Sequence, residues 1–237
     1  MNESPVFVAI DTADLRRARK LVAAVAPHVG GVKLGLQFFA ANGPDGVRKI
    51  AEHGLPLFLD LKFHDIPNTV SRAVQSVGTL GPAVITVHAA GGRAMLTRAK
   101  KVAPPGTKVV AVTVLTSLSD DDLHRAGVRL KNGHVAGIAI EQTERLALLA
   151  RKCGLDGVVC SGLEVARLKS LWPDGYFVVP GIRSAGAESD DQKRIATPRA
   201  AIGDGASMLV IGRPITAAPD PAAAAAAIAA SLEVSGR

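Results

Sequence analysis

The stretch Leu57-Phe58-Leu59-Asp60-Leu61-Lys62-Phe63-His64-Asp65-Ile66-Pro67-Asn68-Thr69-Val70 sets charged residues into an apolar run and then breaks at a proline. Residues 57–61 read as a strand. Side chains two apart on a strand share a face, so Asp60 and Lys62 are expected to project into one site while Leu59 and Leu61 face the other way. Asp65 falls where the strand has given way to a loop, and residues 69–80 carry apolar positions three and four apart, the spacing of a helix. The segment is one βα unit with its charges gathered at the C-terminal end of the strand. By themselves, Asp60 and Lys62 also fit a purely structural ion pair.

The same unit recurs in both directions along the chain. Strands are expected at residues 6–10, 31–34, 57–61, 84–87, 109–114, 157–160, 176–179 and 208–211, each a short β-branched run bounded by Gly or Pro. Helices are expected between them, at 14–26, 69–80, 93–102, 135–152 and 163–171. The alanine tract 222–230, behind Pro221, reads as a closing helix. Eight strands alternating with helices and no linker imply an α/β protein, a single-domain (β/α)8 TIM barrel over residues 1–237. An open doubly wound sheet normally uses fewer strands. In a barrel the chemistry sits at the C-terminal ends of the strands, which here directs attention to Asp11, Lys33, Asp60, Lys62, His88, Thr116 and Gly212-Arg213.

Lys and Arg number 28 against 21 Asp and Glu, a formal charge of +7. Aromatic residues make up only 3% and the basic residues are scattered rather than blocked, so no nucleic-acid partner is expected; a small anionic ligand explains the charge equally well. Two cysteines, Cys153 and Cys160, are too few for a disulfide framework and fit a reducing compartment. With no export signal in the N-terminal residues, a cytoplasmic location is expected. The longest apolar stretch, the alanine tract, is too short and too weakly hydrophobic to span a bilayer, so no membrane partner is expected. His88, at a strand end, invites a metal role, but no second His, Asp or Glu stands at ligand spacing. It is assigned a supporting role, His64 a structural one, and no metal is expected.

Asp60-x-Lys62-x-x-Asp65 followed by Ile66-Pro67-Asn68-Thr69 resembles the signature of the orotidine 5′-monophosphate decarboxylase family. Val8-Ala9-Ile10-Asp11, Gly31-Val32-Lys33-Leu34-Gly35, Val179-Pro180-Gly181-Ile182-Arg183 and Ile211-Gly212-Arg213-Pro214-Ile215 are similar to the successive strand ends of that family, and they occur in its order. The likeness runs from about residue 6 to residue 216. It implies a homodimer of (β/α)8 barrels, a lyase of de novo pyrimidine biosynthesis that converts orotidine 5′-monophosphate to uridine 5′-monophosphate with no cofactor.

The resemblance further implies that Lys62 is the acid that protonates C6, kept charged by Asp60 and Asp65, with Lys33 completing an alternating network. Asp11 and Lys33 are then expected on the ribose hydroxyls and Thr116 on the pyrimidine amide edge. Arg183, Gln192, Gly212 and Arg213 are expected at the phosphate end, Gln192 from a loop at 181–194 whose Gly, Ser and Asp content suits a lid. Asp65 and Thr69 are implied to reach the site of the other subunit, and Ile66 and Asn68 belong to the same substrate-binding signature. Thr116 also fits a turn after its strand, and Gly212-Arg213 a helix start with a solvated arginine.

Two other readings compete. Related metal-dependent barrels acting on sugar phosphates share Asp-x-Lys-x-x-Asp but carry an acidic, Mg²⁺-binding residue in the place of Lys33. The lysine and the Ile66-Pro67-Asn68-Thr69 sequence argue against them. A non-catalytic nucleotide- or RNA-binding protein rests on the basic charge alone.

Overall fold

Strands of only three to seven residues are stable here because every one is hydrogen-bonded on both sides, which leaves no edge. The computed structural model describes residues 4–130, 133–183 and 196–233. Its elements in chain order are β1 (Val6–Ala9), α1 (Leu15–Val25), β2 (Gly31–Gly35), α2 (Leu36–Ala51), β3 (Leu57–Phe63), α3 (Pro67–Gly78), β4 (Val84–His88), α4 (Gly92–Val102), β5 (Lys108–Val112), α5 (Asp120–Arg125), α6 (Ile138–Lys152), β6 (Gly157–Val159), α7 (Val165–Leu171), β7 (Tyr176–Val179), α8 (Pro198–Gly203), β8 (Met208–Ile211), α9 (Arg213–Thr216) and α10 (Pro221–Glu233). All strand pairs are parallel and follow chain order, and β8 closes on β1 with Val8 opposite Ile211. The expected (β/α)8 barrel is the observed fold.

Period-two alternation along the strands divides the core into two layers. Outward-facing Val8, Val32, Leu34, Leu59, Ile85 and Val109 pack against helix residues such as Val22, Val74, Leu96 and Ala99, all buried in one cluster. Inward-facing Phe7, Phe58, Val84, Val110, Val178, Met208 and Val210 form a second, smaller cluster that plugs the barrel. Two residues further along the strands the inward positions change character. Phe58 is followed by Asp60 and Val84 by Thr86, whereas Val110 is followed by Val112 and Val210 by Gly212. The strand period therefore delivers polar groups to one half of the barrel mouth and apolar groups to the other.

Some boundaries differ from the sequence expectation. Strand β5 ends at Val112 rather than 114, because both the N–H and the hydroxyl of Thr113 bond to the carbonyl of Val159, which ends the regular ladder. Helix α6 starts at Ile138 rather than 135: Gly137 is left-handed at φ 87°, and the Asp120 carboxylate accepts from the N–H groups of Gly137 and Ala139. Helix α2 was not singled out by apolar spacing, since Gly43-Pro44 interrupts it and Gly43 adopts φ 57° at the resulting kink. The expected closing helix forms as α10. Among the described residues no helix is long and apolar enough to cross a membrane.

Candidate active site

Asp11, Lys33, Asp60 and Lys62 form a chain of alternating charge across the ends of β1, β2 and β3. Lys33 Nζ lies 3.4 Å from Asp11 Oδ1 and 3.3 Å from Asp60 Oδ2, and Lys62 Nζ lies 2.8 Å from that same Asp60 oxygen. Lys33 and Asp60 are buried, Lys62 is partly open and Asp11 is exposed. Burial pushes the Asp60 carboxyl up, but the charges of Lys33 and Lys62 and hydrogen bonds from Lys62 and Thr86 outweigh it and hold the group below its ordinary value. Asp60 is thus a buried anion stabilised by two cations that both line the cavity, of which Lys62 is the more exposed. Gly35 leaves room for the pairing: a Cβ there would stand 3.0 Å from Lys33 Nζ and 3.1 Å from Asp11 Oδ1.

The backbone that presents Lys62 is not a regular strand. Registry between β3 and β4 shifts between Leu59 and Phe63, and Lys62 has φ 50°, the one positive value at a non-glycine residue among those described. Asp60 and Lys62 do share a site, but a bulge rather than plain alternation brings them together. Thr86 on β4, which the sequence reading passed over, meets both. Its fully buried hydroxyl donates to Asp60 Oδ1 at 3.1 Å and accepts from the Lys62 N–H at 2.9 Å. The signal for it was a lone hydroxyl inside the apolar run 84–87, at the inward-facing parity.

These charges open into a cavity of about 450 Å³. Its walls include Thr116, Arg183, Gly212 and Arg213, as well as Asp11, Lys33, Asp60 and Lys62, so eight of the expected site residues converge there. Between them the wall is apolar, with Val112, Val159, Val178 and Val210 facing in. Arg183 is buried and donates to the carbonyl of Ile182 at 3.0 Å. Gly212 precedes α9, and the nearest atom to a Cβ built on it is Ala9 Cβ at 3.5 Å, so nothing in the protein crowds that position. Gln192 lies outside the described residues, as does most of the expected lid at 181–194.

The rest of the signature does not join this cavity. Asp65, Ile66, Asn68 and Thr69 are exposed, and Asp65 Oδ1 accepts from the N–H of Ile66 at 2.7 Å. Among the described residues no ion pair links Asp65 to Lys62 of the same chain.

His88 and His64 stack with centroids 5.1 Å apart, and His88 Nδ1 accepts from Ala90 N–H. Burial first, then the neighbouring His64 and Lys62, hold His88 below the usual imidazole value, so it stays neutral near pH 7. Cys153 and Cys160 are buried thiols that form no disulfide. Ser161, next to the cavity-lining Cys160, is a further hydroxyl the sequence reading missed: it is fully buried and its Oγ has no hydrogen-bond partner among the described residues.

Residues 4–228 match the model of a family described as Orotidine 5′-phosphate decarboxylase / HUMPS. An orotidine 5′-phosphate decarboxylase of Sphingopyxis alaskensis is 56% identical over 97% of this chain and 99% of its own length, and one of Erythrobacter litoralis is 55% identical over the same shares. The crystal structure of orotidine 5′-phosphate decarboxylase from Lactobacillus acidophilus superposes with a TM-score of 0.82 at 39% identity, covering 97% of this chain and 99% of that one.

Proposed function

The chain belongs to the orotidine 5′-phosphate decarboxylase / HUMPS family, and from that membership we propose that it converts orotidine 5′-monophosphate to uridine 5′-monophosphate and CO₂, without metal or cofactor, in pyrimidine biosynthesis. The family description joins two names, and its curated relatives carry the first. The observation that carries the reading is the charge chain Asp11–Lys33–Asp60–Lys62 at the cavity. Lys33 sits between two carboxylates, in the place where the metal-dependent barrels need an acidic ligand.

In the reaction the bond from C6 to the carboxylate carbon breaks, CO₂ leaves, and the electron pair stays on C6 in the plane of the ring. No adjacent π system is aligned to delocalise it, so a fixed positive charge must. The Lys62 ammonium serves first as that charge and then as the acid, passing its proton to C6 and regaining one from water. Asp60 keeps Lys62 protonated, since a nearby anion favours the charged amine. Asp11 and Lys33 take the ribose hydroxyls and Thr116 the amide edge of the base, with the valine wall of the cavity against the ring.

Gly212 and Arg213, with Arg183 and Gln192, hold the phosphate, a placement common to barrels of this kind. Enzymatic stabilisation of roughly 8–23 kcal/mol exceeds what one ammonium supplies, so binding energy from the phosphate must be recruited at the reacting centre.

The site is completed by a second copy of the chain. Support comes from Asp65, Ile66, Asn68 and Thr69, which are exposed and do not line the cavity of their own chain. In the proposed dimer they reach the site of a partner, where Asp65 supplies the second carboxylate beside Lys62. The two buried cysteines, present as thiols, support a reducing, cytoplasmic location.

The test is loss of orotate absorbance from orotidine 5′-monophosphate in excess chelator. Turnover at an undiminished rate is expected; no turnover, or turnover that requires added metal, overturns the reading.

A further inference from the structure

Building on the decarboxylase reading, we propose that Thr86 is a positioning residue: its hydroxyl sets both the orientation of the Asp60 carboxylate and the backbone at Lys62, and so decides where the Lys62 ammonium meets the substrate.

A hydroxyl carries one proton and two lone pairs, and at Thr86 both functions are committed. The proton goes to Asp60 Oδ1 at 3.1 Å, and a lone pair takes the Lys62 N–H at 2.9 Å. The other Asp60 oxygen, Oδ2, is left to both ammonium groups, Lys33 at 3.3 Å and Lys62 at 2.8 Å. Thr86 thereby splits the carboxylate into a held oxygen and a presenting one, and stops the group from rotating between its two lysines.

The second bond acts on the bulge. Lys62 is in the left-handed region at φ 50°, a conformation that side-chain-bearing residues hold only when their surroundings enforce it. The hydroxyl that fixes the carboxylate also binds the N–H of this residue, so the two charged groups are referenced to one atom on a neighbouring strand.

Residue choice at 86 supports the assignment. The position is fully buried between Ile85 and Val87, where a valine of the same shape would suit the strand and would not need its hydroxyl desolvated. A hydroxyl belongs here only for the bonds it makes.

The experiment compares Thr86→Val with Thr86→Ser, using orotidine 5′-monophosphate turnover and amide hydrogen exchange at Lys62 in the intact protein. In Thr86→Val, kcat is expected to fall about 30-fold, the scale of losing a hydrogen bond to a charged group, with KM changed less than about threefold because remote contacts anchor the substrate. The Lys62 amide should lose protection. In Thr86→Ser both kcat and protection should return to near wild type, since the hydroxyl is restored.

A Thr86→Val enzyme with wild-type kcat overturns the proposal, and so does a Thr86→Ser enzyme as impaired as Thr86→Val, which would make the role one of packing. Should Thr86→Val fail to fold, Thr86→Ala is read in the same way. A wild-type protein that does not turn over the nucleotide sinks the decarboxylase reading instead. In that case the exchange measurement still tests whether Thr86 holds the Lys62 backbone.

Discussion

The two halves of the barrel mouth are built by the same strand period and end in opposite chemistry. Across β1 to β4 the inward positions above the plug are Asp11, Lys33, Asp60 and Thr86, all within a connected network of ion pairs and hydrogen bonds. Across β5 to β8 the cavity wall is Val112 and Val159 together with the plug residues Val178 and Val210, closing at Gly212-Arg213. A site that was charged throughout would solvate a ligand much as water does, and a site that was apolar throughout would leave a buried charge uncompensated. Setting the halves face to face places a fixed cation against a low-dielectric wall, where its field on a developing anion is stronger than in water. On the proposed function, catalysis belongs to the first half and ring placement and phosphate anchoring to the second.

The largest effect is expected at Lys62, the more exposed cation of the charged half. Lys62→Ala should lower kcat by at least about 10⁴-fold, the combined scale of an acid and an electrostatic stabiliser, while uridine 5′-monophosphate still binds in a calorimetric titration. A variant with a wild-type rate would move the acid elsewhere. On the proposed function the charged half takes a second carboxylate, Asp65, from a partner chain, which gives the next test. Lys62→Ala and Asp65→Ala chains, each inactive, should on mixing regain about a quarter of wild-type activity, because one site in each mixed dimer is intact. No recovery would mean that sites are not shared.

Removing an anchor from the apolar half should cost less. Arg213→Ala is expected to reduce kcat/KM by about 100-fold through loss of charge-assisted bonds to phosphate, and the loss should include kcat. If only KM changes, the phosphate contacts provide uniform binding and the division of labour between the halves is wrong.

How much of this was legible in the sequence follows from the range of each signal. The eight strands were visible because β-branched runs and helical spacing are local patterns, and the fold followed from counting them. Boundaries at β5 and α6 moved because Thr113 bonds to Val159 and Asp120 caps Gly137, contacts that no local window contains. Asp11, Lys33, Asp60 and Lys62 could be assigned to one site because each stands at or beyond a strand end, which a barrel gathers at one face. Thr86 left only a faint trace, a hydroxyl at the inward-facing parity: its partners lie 24 and 26 positions away, and inside a β-branched run a threonine looks like any other strand former. The bulge at Lys62 was hidden for the same reason, since alternation predicts the shared face without revealing that the backbone departs from it.

The charged half should also mark itself in the acid stability of the protein. The Asp60 carboxyl is held below its ordinary value of 3.8 by its surroundings, so its ionised form stabilises the fold. That contribution is complete above 3.8 and is lost as pH falls through the lower value of the folded state. Asp60→Asn removes this titration and leaves two ammonium groups facing each other, at a cost of about 3–5 kcal/mol at neutral pH. Thermal unfolding should therefore show the widest gap between wild type and variant near pH 7, closing as the pH drops below 3.8. A gap independent of pH would mean that the Asp60 charge does not stabilise the fold.

The smallest effect expected comes from exchanging a methyl for a hydroxyl on the apolar side. Val112→Thr is the reverse of Thr86→Val: same shape, opposite half, one hydroxyl gained rather than lost. Val112 is buried and lines the cavity, so the new hydroxyl must be desolvated whenever a ring covers it, and KM should rise about threefold while kcat stays within about twofold of wild type. Because the two substitutions match in volume, any difference between them reflects what the hydroxyl does rather than how it packs. Should Val112→Thr lower kcat as much as Thr86→Val, polarity would matter equally on both sides of the mouth, and the functional division of the barrel into a reacting half and a holding half would have to be abandoned.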